Sequence, residues 1–277
     1  MDNPFVTTAW LAEHLGDPDL VVADGSWHMP GAARNAQAEY LAGHIPGAVF
    51  FDIDGVADRT TDLPHMLPAP ADFARMVGAL GISEDMTIIV YDEIGLFSAP
   101  RVWWTFKVMG AADVRILEGG GPKWRAEKRP TEPGQVSRER RDFEVRLDAE
   151  RVADFEMVRD RSRDRASQIV DARPAQRFHA EVPEPRAGLR SGHIPHSLNV
   201  PVGLLSNAGV MHPAEDLRRL FEERGVALDK PVITSCGSGI TASTLGLALE
   251  IAGAKEVAVY DGSWTEWGAR PDAEVET

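Results

Sequence analysis

The sequence contains one cysteine, and its position between a predicted strand and a predicted helix suggests nucleophilic chemistry. Cys236 directly follows the apolar run 232–235 and is followed by a glycine-rich loop, after which a helical pattern begins at Ile240. In open α/β sheets, reactive groups gather beyond the carboxyl ends of the strands. We therefore predict that Cys236 is a reactive thiolate rather than a buried apolar filler, which is the commoner role of a free cysteine.

The loop after Cys236 is suited to bind an anion. It consists of Gly237, Ser238, Gly239, Ile240 and Thr241. Its two glycines allow the backbone to curl, so that successive N–H groups can converge on one point. The following helix adds the positive end of its dipole. Both effects favour a thiolate at Cys236 and any anionic group attached to it.

A phosphatase-type cysteine loop would also wrap an anion, but the spacing does not fit. That chemistry needs an arginine after about five intervening residues, which clamps phosphate through two parallel hydrogen bonds. The sixth residue after Cys236 is Ala242, and no arginine occurs between Cys236 and Lys255. The sequence therefore disfavours a phosphatase.

The elements that must position this loop occur twice in the chain. The segment Gly43-His44-Ile45-Pro46 recurs as Gly192-His193-Ile194-Pro195, and Asp24 after an apolar run is matched by Asp171. Further matches pair Gly110-Ala111 with Gly253-Ala254, and Leu117-Glu118-Gly119-Gly120 with Tyr260-Asp261-Gly262-Ser263. Because the order of these segments is the same in both halves, we predict two copies of one domain.

Each copy alternates short apolar runs with helical patterns, which predicts a mainly parallel sheet with helices on both faces. The predicted strands are 20–23, 48–51, 87–91 and 114–117, then 168–170, 197–200, 232–235 and 257–260. The predicted helices are 70–80, 99–109, 214–224 and 240–252. We expect an N-terminal domain over residues 1–130, a charged, proline-containing linker over 131–146 and a C-terminal domain over 147–277.

Composition and charge limit the class of function. The 277 residues include 29 Lys and Arg against 43 Asp and Glu, a formal net charge of −14, which disfavours a general nucleic-acid binder. No signal-like segment and no membrane-length apolar run are recognised, so we expect a cytoplasmic protein without membrane contact. One cysteine permits no intrachain disulfide and no thiolate metal cage, and we predict no metal and no cofactor.

Taken together, these motifs resemble those of the two-domain rhodanese sulfurtransferases. The resemblance rests on the tandem repeat, the paired GHIPG and GHIPH segments, residues 98–104 (SAPRVWW), residues 260–264 (YDGSW) and the Cys236 loop. It implies two rhodanese-like α/β domains, of which the C-terminal one forms a persulfide on Cys236 and the N-terminal one has lost its cysteine. The sequence agrees with this, because Asp92 stands about where a cysteine would be in the first copy.

The loop sequence resembles that of the 3-mercaptopyruvate branch of this family. Thiosulfate-preferring members carry two cationic side chains after the cysteine, whereas Gly237 and Ser238 occupy these positions here. The resemblance implies that the donor is 3-mercaptopyruvate, with its carboxylate and carbonyl held by Arg177 and Arg186. The sulfur would then pass to a thiol acceptor, such as a thioredoxin-like protein, or to cyanide.

The same branch implies a hydroxyl–imidazole–carboxylate relay that could move protons to or from the substrate. In this sequence the relay corresponds to Ser238, His65 and Asp54. Without the resemblance, His65 and Asp54 would be interpreted as ordinary loop residues.

Two other functions stay open at this point. A thiosulfate:cyanide sulfurtransferase would use the same persulfide with another donor, and the relative turnover of the two donors separates these activities. A non-enzymatic persulfide carrier would instead turn over slowly with any small donor and bind stably to one protein partner.

Overall fold

In a computed structural model, which describes residues 3–277, the first repeat forms a parallel five-stranded sheet. Its strands are β1 (Phe5–Val6), β2 (Leu20–Asp24), β3 (Val49–Phe50), β4 (Thr87–Tyr91) and β5 (Asp113–Leu117). They are arranged in the order β1-β5-β4-β2-β3, and every neighbouring pair is parallel. Strand β4 therefore lies at the centre of the sheet.

The second repeat forms a sheet with the same topology. Its strands are β6 (Val152–Ala153), β7 (Gln168–Asp171), β8 (Leu198–Asn199), β11 (Val232–Ser235) and β12 (Val257–Tyr260). Strands β9 (Ser206–Asn207) and β10 (Val210–Met211) form a separate two-stranded sheet. The parallel order is β6-β12-β11-β7-β8, with β11 at the centre. The predicted α/β fold class, with two tandem domains, is thus confirmed.

Helices connect the parallel strands, because a parallel pair cannot be joined by a tight turn. In the first repeat they are α1 (Thr8–His14), α2 (Ala36–Ala42), α3 (Pro70–Ala79), α4 (Ala99–Val108) and α5 (Gly120–Ala126). In the second repeat they are α6 (Phe155–Asp164), α7 (Ala175–Phe178), α8 (Ala214–Glu223), α9 (Ile240–Ala252) and α10 (Ser263–Trp267). Within residues 3–277, no helix is both long enough and apolar enough to cross a membrane.

The chain separates into two compact units. One comprises the chain up to Arg59 together with Leu67–Asp148 and Ala208–Val210, and the other comprises Thr60–Met66, Ala149–Asn207 and Met211–Thr277. Residues 131–146, which we predicted to be a linker, belong to the first unit. Within this segment Phe143 is buried, and the backbone N–H of Arg141 donates to the carbonyl of Gly78 at 3.0 Å. The exact domain boundaries stay a prediction.

Burial of the central strands fixes the places where functional loops can begin. Strand β11 is buried along its whole length, and α9, which is apolar on nearly all faces, packs against β11, β12 and α8. Because all strands of the sheet are parallel, the loops after β7, β11 and β12 leave from the same edge. This edge is where Cys236 lies.

Candidate active site

Cys236 lies at the carboxyl end of the central strand of the second sheet. It directly follows β11 and is a free, buried cysteine with 2% of its surface exposed. Ser235, the last residue of β11, pairs in register with Asp171, the last residue of β7. The residues after Asp171 therefore begin at the same edge of the sheet as the Cys236 loop.

Hydrogen bonds to helix α10 fix the first residues of the Cys236 loop. The carbonyl of Cys236 accepts the backbone N–H of Trp264 at 3.0 Å, and the carbonyl of Gly237 accepts that of Thr265 at 2.9 Å. The hydroxyl of Thr265 also donates to Gly237 at 2.6 Å, while the N–H of Cys236 donates to the buried hydroxyl of Ser263 at 3.2 Å. The two carbonyl groups are thus committed to α10. The sequence pattern did not predict this role of Ser263, Trp264 and Thr265.

The remaining N–H groups of the loop are available to bind a ligand. None of the backbone N–H groups of Gly237–Thr241 donates a hydrogen bond to any atom of residues 3–277. Gly239 has a φ of +83°, a conformation that favours glycine, and α9 begins directly after it. Unpaired N–H groups at the start of a thirteen-residue helix form an environment that stabilises negative charge.

Ser238 and the first residues of α9 complete the predicted loop. Ser238 is 6% exposed, and its side chain forms no hydrogen bond with any part of residues 3–277. Ile240 and Thr241 form the start of α9, where Ile240 is buried and Thr241 is half-buried. The hydroxyl of Ser238 is therefore able to bind a substrate or another group.

Of the two predicted arginines, Arg177 lies directly against the loop. It belongs to α7, and its Nη2 atom lies 3.3 Å from the position that a Cβ atom on Gly237 would occupy. A side chain at position 237 would therefore contact the guanidinium group. Arg186 is half-buried and forms no side-chain hydrogen bond or ion pair within the described part of the chain.

A chain of alternating charges connects Arg177 to the sheet. Glu184 accepts hydrogen bonds from Nε of Arg177 at 3.2 Å and Nη2 of Arg177 at 2.5 Å, and also from Nη1 of Arg173 at 2.9 Å. Arg173 in turn binds both carboxylate oxygens of Asp171, at 3.1 and 2.9 Å from Nε. The side chains of Asp171, Arg173 and Glu184 are each 1% exposed. The network therefore lies in the interior.

Arg173 anchors this network. Its Nη2 donates to the carbonyl of Gly192 at 2.8 Å, and its guanidinium lies 4.3 Å from the ring centre of Trp264. Burial opposes the charge on Arg173, but the carboxylates of Asp171 and Glu184 outweigh it and hold the pKa of Arg173 above its ordinary value. The roles of Arg173 and of the bridging Glu184 were not predicted from the sequence. The available signal was the alternation of acidic and basic residues directly after a buried strand.

The structure places His65 and Asp54 in different units. His65 is buried, has a φ of +63° and belongs to the same unit as Cys236. Asp54 belongs to the other unit, where its Oδ2 accepts a hydrogen bond from Nε1 of Trp27 at 2.9 Å. The predicted relay would need groups from both units, and it stays a prediction.

The first repeat carries a buried carboxylate where the second carries Cys236. Asp92 directly follows β4, and the last residue of that strand, Tyr91, pairs in register with Asp24, just as Ser235 pairs with Asp171. The backbone N–H of Gly121 donates to the carbonyl of Asp92 at 3.0 Å. The same type of bond, from α10, reaches the carbonyl of Cys236.

Backbone N–H groups surround the carboxylate of Asp92. It is completely buried, and no Arg, Lys or His of residues 3–277 forms an ion pair with it. Its five donors are the N–H groups of Ile94 at 2.9 Å, Gly95 at 2.6 Å, Phe97 at 2.7 Å, Ser98 at 2.9 Å and Ala99 at 2.8 Å. A loop in this position of the fold can therefore hold a buried anion by its backbone alone.

Comparison with known proteins relates both repeats to one domain family. The model of the Rhodanese-like domain matches residues 7–127 and 154–270. The chain is 48% identical over 273 residues to 3-mercaptopyruvate sulfurtransferase from Escherichia coli (strain K12), covering 98% of this chain and 97% of that protein. It is 42% identical to thiosulfate sulfurtransferase from Bos taurus, with 98% and 93% coverage.

A solved structure shows the same architecture. The crystal structure of the 3-mercaptopyruvate sulfotransferase SseA from Escherichia coli superimposes with a TM-score of 0.88 and 45% sequence identity, covering 95% of this chain and 99% of that one. The mouse (Mus musculus) 3-mercaptopyruvate sulfurtransferase is 41% identical, with coverage of 97% and 93%. The mammalian relatives named for either donor are similarly identical to the chain, at 41% and 42%, and the Escherichia coli relative named for 3-mercaptopyruvate is more so, at 48%.

The loop after β4 allows a test of how much the hydrogen bonds between the Asp92 carboxylate and the backbone stabilise the protein. We predict that Asp92→Ala lowers the free energy of unfolding by about 3 kcal/mol or more, because five N–H groups, three of them in fully buried hydrogen bonds, lose their acceptor. Denaturant titration followed by tryptophan fluorescence measures this change. Asp17→Ala, at an exposed position, serves as the control and is expected to leave the stability unchanged. Equal stability of the two variants would contradict a stabilising role of the Asp92 carboxylate.

Proposed function

Because the chain belongs to the rhodanese-like family, we propose that it is a 3-mercaptopyruvate sulfurtransferase whose nucleophile is Cys236. The observation that carries the proposal is the Cys236 loop itself, which combines a buried thiol with five unpaired N–H groups and no cationic side chain. Such a loop can stabilise the single negative charge of a thiolate or a persulfide. It lacks the additional positive charge that a dianionic donor would favour.

In the first step, the thiolate of Cys236 attacks the sulfur of 3-mercaptopyruvate. The S–S bond forms as the carbon–sulfur bond breaks, and the electron pair of that bond remains with the pyruvate fragment as an enolate. A proton is added to its carbon, pyruvate leaves and the outer sulfur stays on Cys236 as a persulfide. The N–H groups of Gly237–Thr241 stabilise the negative charge throughout, as preorganised electrostatic catalysis.

Arg177 and Arg186 hold the carboxylate and the carbonyl of the donor in this proposal. The contact of Arg177 with Gly237 and the lack of a protein partner for the half-buried Arg186 support these roles. The free hydroxyl of Ser238 is available to hydrogen-bond the donor. His65 and Asp54 would complete a proton relay with Ser238 and deliver the proton that the enolate needs.

In the second step, an acceptor takes the outer sulfur. A thiolate or cyanide attacks it, the S–S bond breaks and Cys236 is released as a thiolate. Because the chain has one cysteine, it cannot resolve the persulfide internally, and an external acceptor is required. A reduced thioredoxin-like protein or a small thiol in the cytoplasm would fulfil this role.

A second candidate activity uses thiosulfate as the donor. The bovine thiosulfate sulfurtransferase is 42% identical to this chain, so the same fold accommodates either activity. The uncharged residues Gly237 and Ser238 favour 3-mercaptopyruvate. A persulfide carrier without turnover is a third possibility, which rapid catalysis with a small donor would exclude.

We expect the protein to release pyruvate rapidly from 3-mercaptopyruvate and to form thiocyanate only slowly from thiosulfate and cyanide. Cys236→Ser should lower pyruvate release by at least about 1000-fold, because the hydroxyl is a far weaker nucleophile at neutral pH. Faster turnover of thiosulfate would contradict the proposed donor but not the mechanism. Slow turnover of both donors would contradict an enzymatic function.

Arg186→Ala tests the proposed carboxylate clamp separately. We expect the KM for 3-mercaptopyruvate to rise by about tenfold or more while kcat changes little, because a charged hydrogen bond to the bound substrate is lost. Steady-state pyruvate release measures both constants. Arg75→Ala removes an exposed arginine that pairs with Asp72 and is the control. An unchanged KM in Arg186→Ala would eliminate Arg186 as a substrate ligand.

A further inference from the structure

Glu184 determines which nitrogen atoms of the Arg177 guanidinium group remain available to bind a ligand. Its two carboxylate oxygens accept hydrogen bonds from Nε and Nη2 of Arg177, at 3.2 and 2.5 Å. The carboxylate of Glu184 cannot rotate freely, because the side chain is 1% exposed and is also bound by Nη1 of Arg173 at 2.9 Å. One edge of Arg177 is therefore occupied by protein, and Nη1 on the other side is left for a ligand.

The same carboxylate determines the charge of the site. Asp171 and Glu184 carry two negative charges, and Arg173 and Arg177 carry two positive charges, so this buried network is neutral as a whole. Arg186 is a cation of the same segment that has no ion-pair partner within residues 3–277. Of the two arginines proposed to hold the donor, Arg177 is therefore ion-paired within the protein and Arg186 is not.

We propose that Glu184 is a positioning residue that sets the donor specificity of the Cys236 site. It holds the guanidinium of Arg177 against Gly237 and cancels one positive charge, so that the site accommodates a donor with a single negative charge. This inference rests on the proposed function. A monocarboxylate such as 3-mercaptopyruvate matches one uncompensated cation, whereas dianionic thiosulfate would bring an unpaired negative charge into a buried site, which is costly.

The charge of Glu184 can be removed with little change of shape in Glu184→Gln. We expect the KM for 3-mercaptopyruvate to rise about tenfold, because Arg177 loses its carboxylate partner. The ratio of kcat/KM for thiosulfate to kcat/KM for 3-mercaptopyruvate should rise by about tenfold, because the site gains net positive charge. A purely structural role would lower both activities together and leave this ratio unchanged.

Glu184→Asp separates the positioning from the charge. It keeps the carboxylate but shortens its reach toward Arg177, so we expect a higher KM for 3-mercaptopyruvate with an unchanged donor ratio. If Glu184→Gln does not fold, Arg177→Gln removes the opposite charge, and the donor ratio should shift away from thiosulfate. An unchanged ratio in Arg177→Gln would then overturn the proposal.

A matched control is available in the same unit. Glu250 lies in the last turn of α9, at the opposite end of this helix from the Cys236 loop, and binds Nη1 of Arg151 at 2.5 Å with 8% of its side chain exposed. Glu250→Gln removes a comparable carboxylate and should leave the donor ratio unchanged. Equal ratios in wild type and Glu184→Gln would overturn this inference alone, whereas a wild type inactive on 3-mercaptopyruvate would overturn the proposed function as well.

Discussion

In both repeats, the loop after the central strand is built around one buried position that backbone N–H groups can surround. Five N–H groups donate to the carboxylate of Asp92 in the first repeat, and no basic side chain of the described residues pairs with it. A buried carboxylate without such donors would be strongly destabilising. The conformation of the loop and the charge at its centre therefore depend on each other. In the second repeat Cys236 occupies this position, and the corresponding N–H groups are unpaired.

In the second unit, a network of charged side chains leads to this loop, and its positive and negative groups form ion pairs with one another. Arg173 is fixed by Asp171 at the end of β7, and Glu184 connects Arg173 to Arg177, which lies against Gly237. Buried ion pairs gain little net stability, because desolvation offsets much of their attraction. Their value here is geometric, since they connect the end of a strand to a guanidinium group beside the reactive thiol. The small size of Gly237 permits this close approach.

Much of this organisation could be predicted from the sequence, because apolar runs, glycines and a single cysteine are local signals. The long buried strands β4 and β11, helix α9 and the position of Cys236 after β11 all follow from such patterns. The two-residue edge strands β1 and β6 were not predicted, whereas the equally short edge strands β3 and β8 fall within the predicted strands 48–51 and 197–200. The contacts of α10 with the loop could not be predicted, because they join residues 27 or 28 positions apart in sequence. Glu184 lies only seven residues from Arg177, but the segment between them is mostly irregular, and no periodic pattern places its side chain.

The central claim is that Cys236 carries sulfur between donor and acceptor, and mass spectrometry tests it most directly. The protein is mixed with 3-mercaptopyruvate without an acceptor, and the peptide that contains Cys236 is then weighed beside the pyruvate released. We predict that this peptide gains the mass of one sulfur atom, that one pyruvate appears per chain, and that an added thiol removes the sulfur. Pyruvate release without any sulfur on Cys236 would contradict the account.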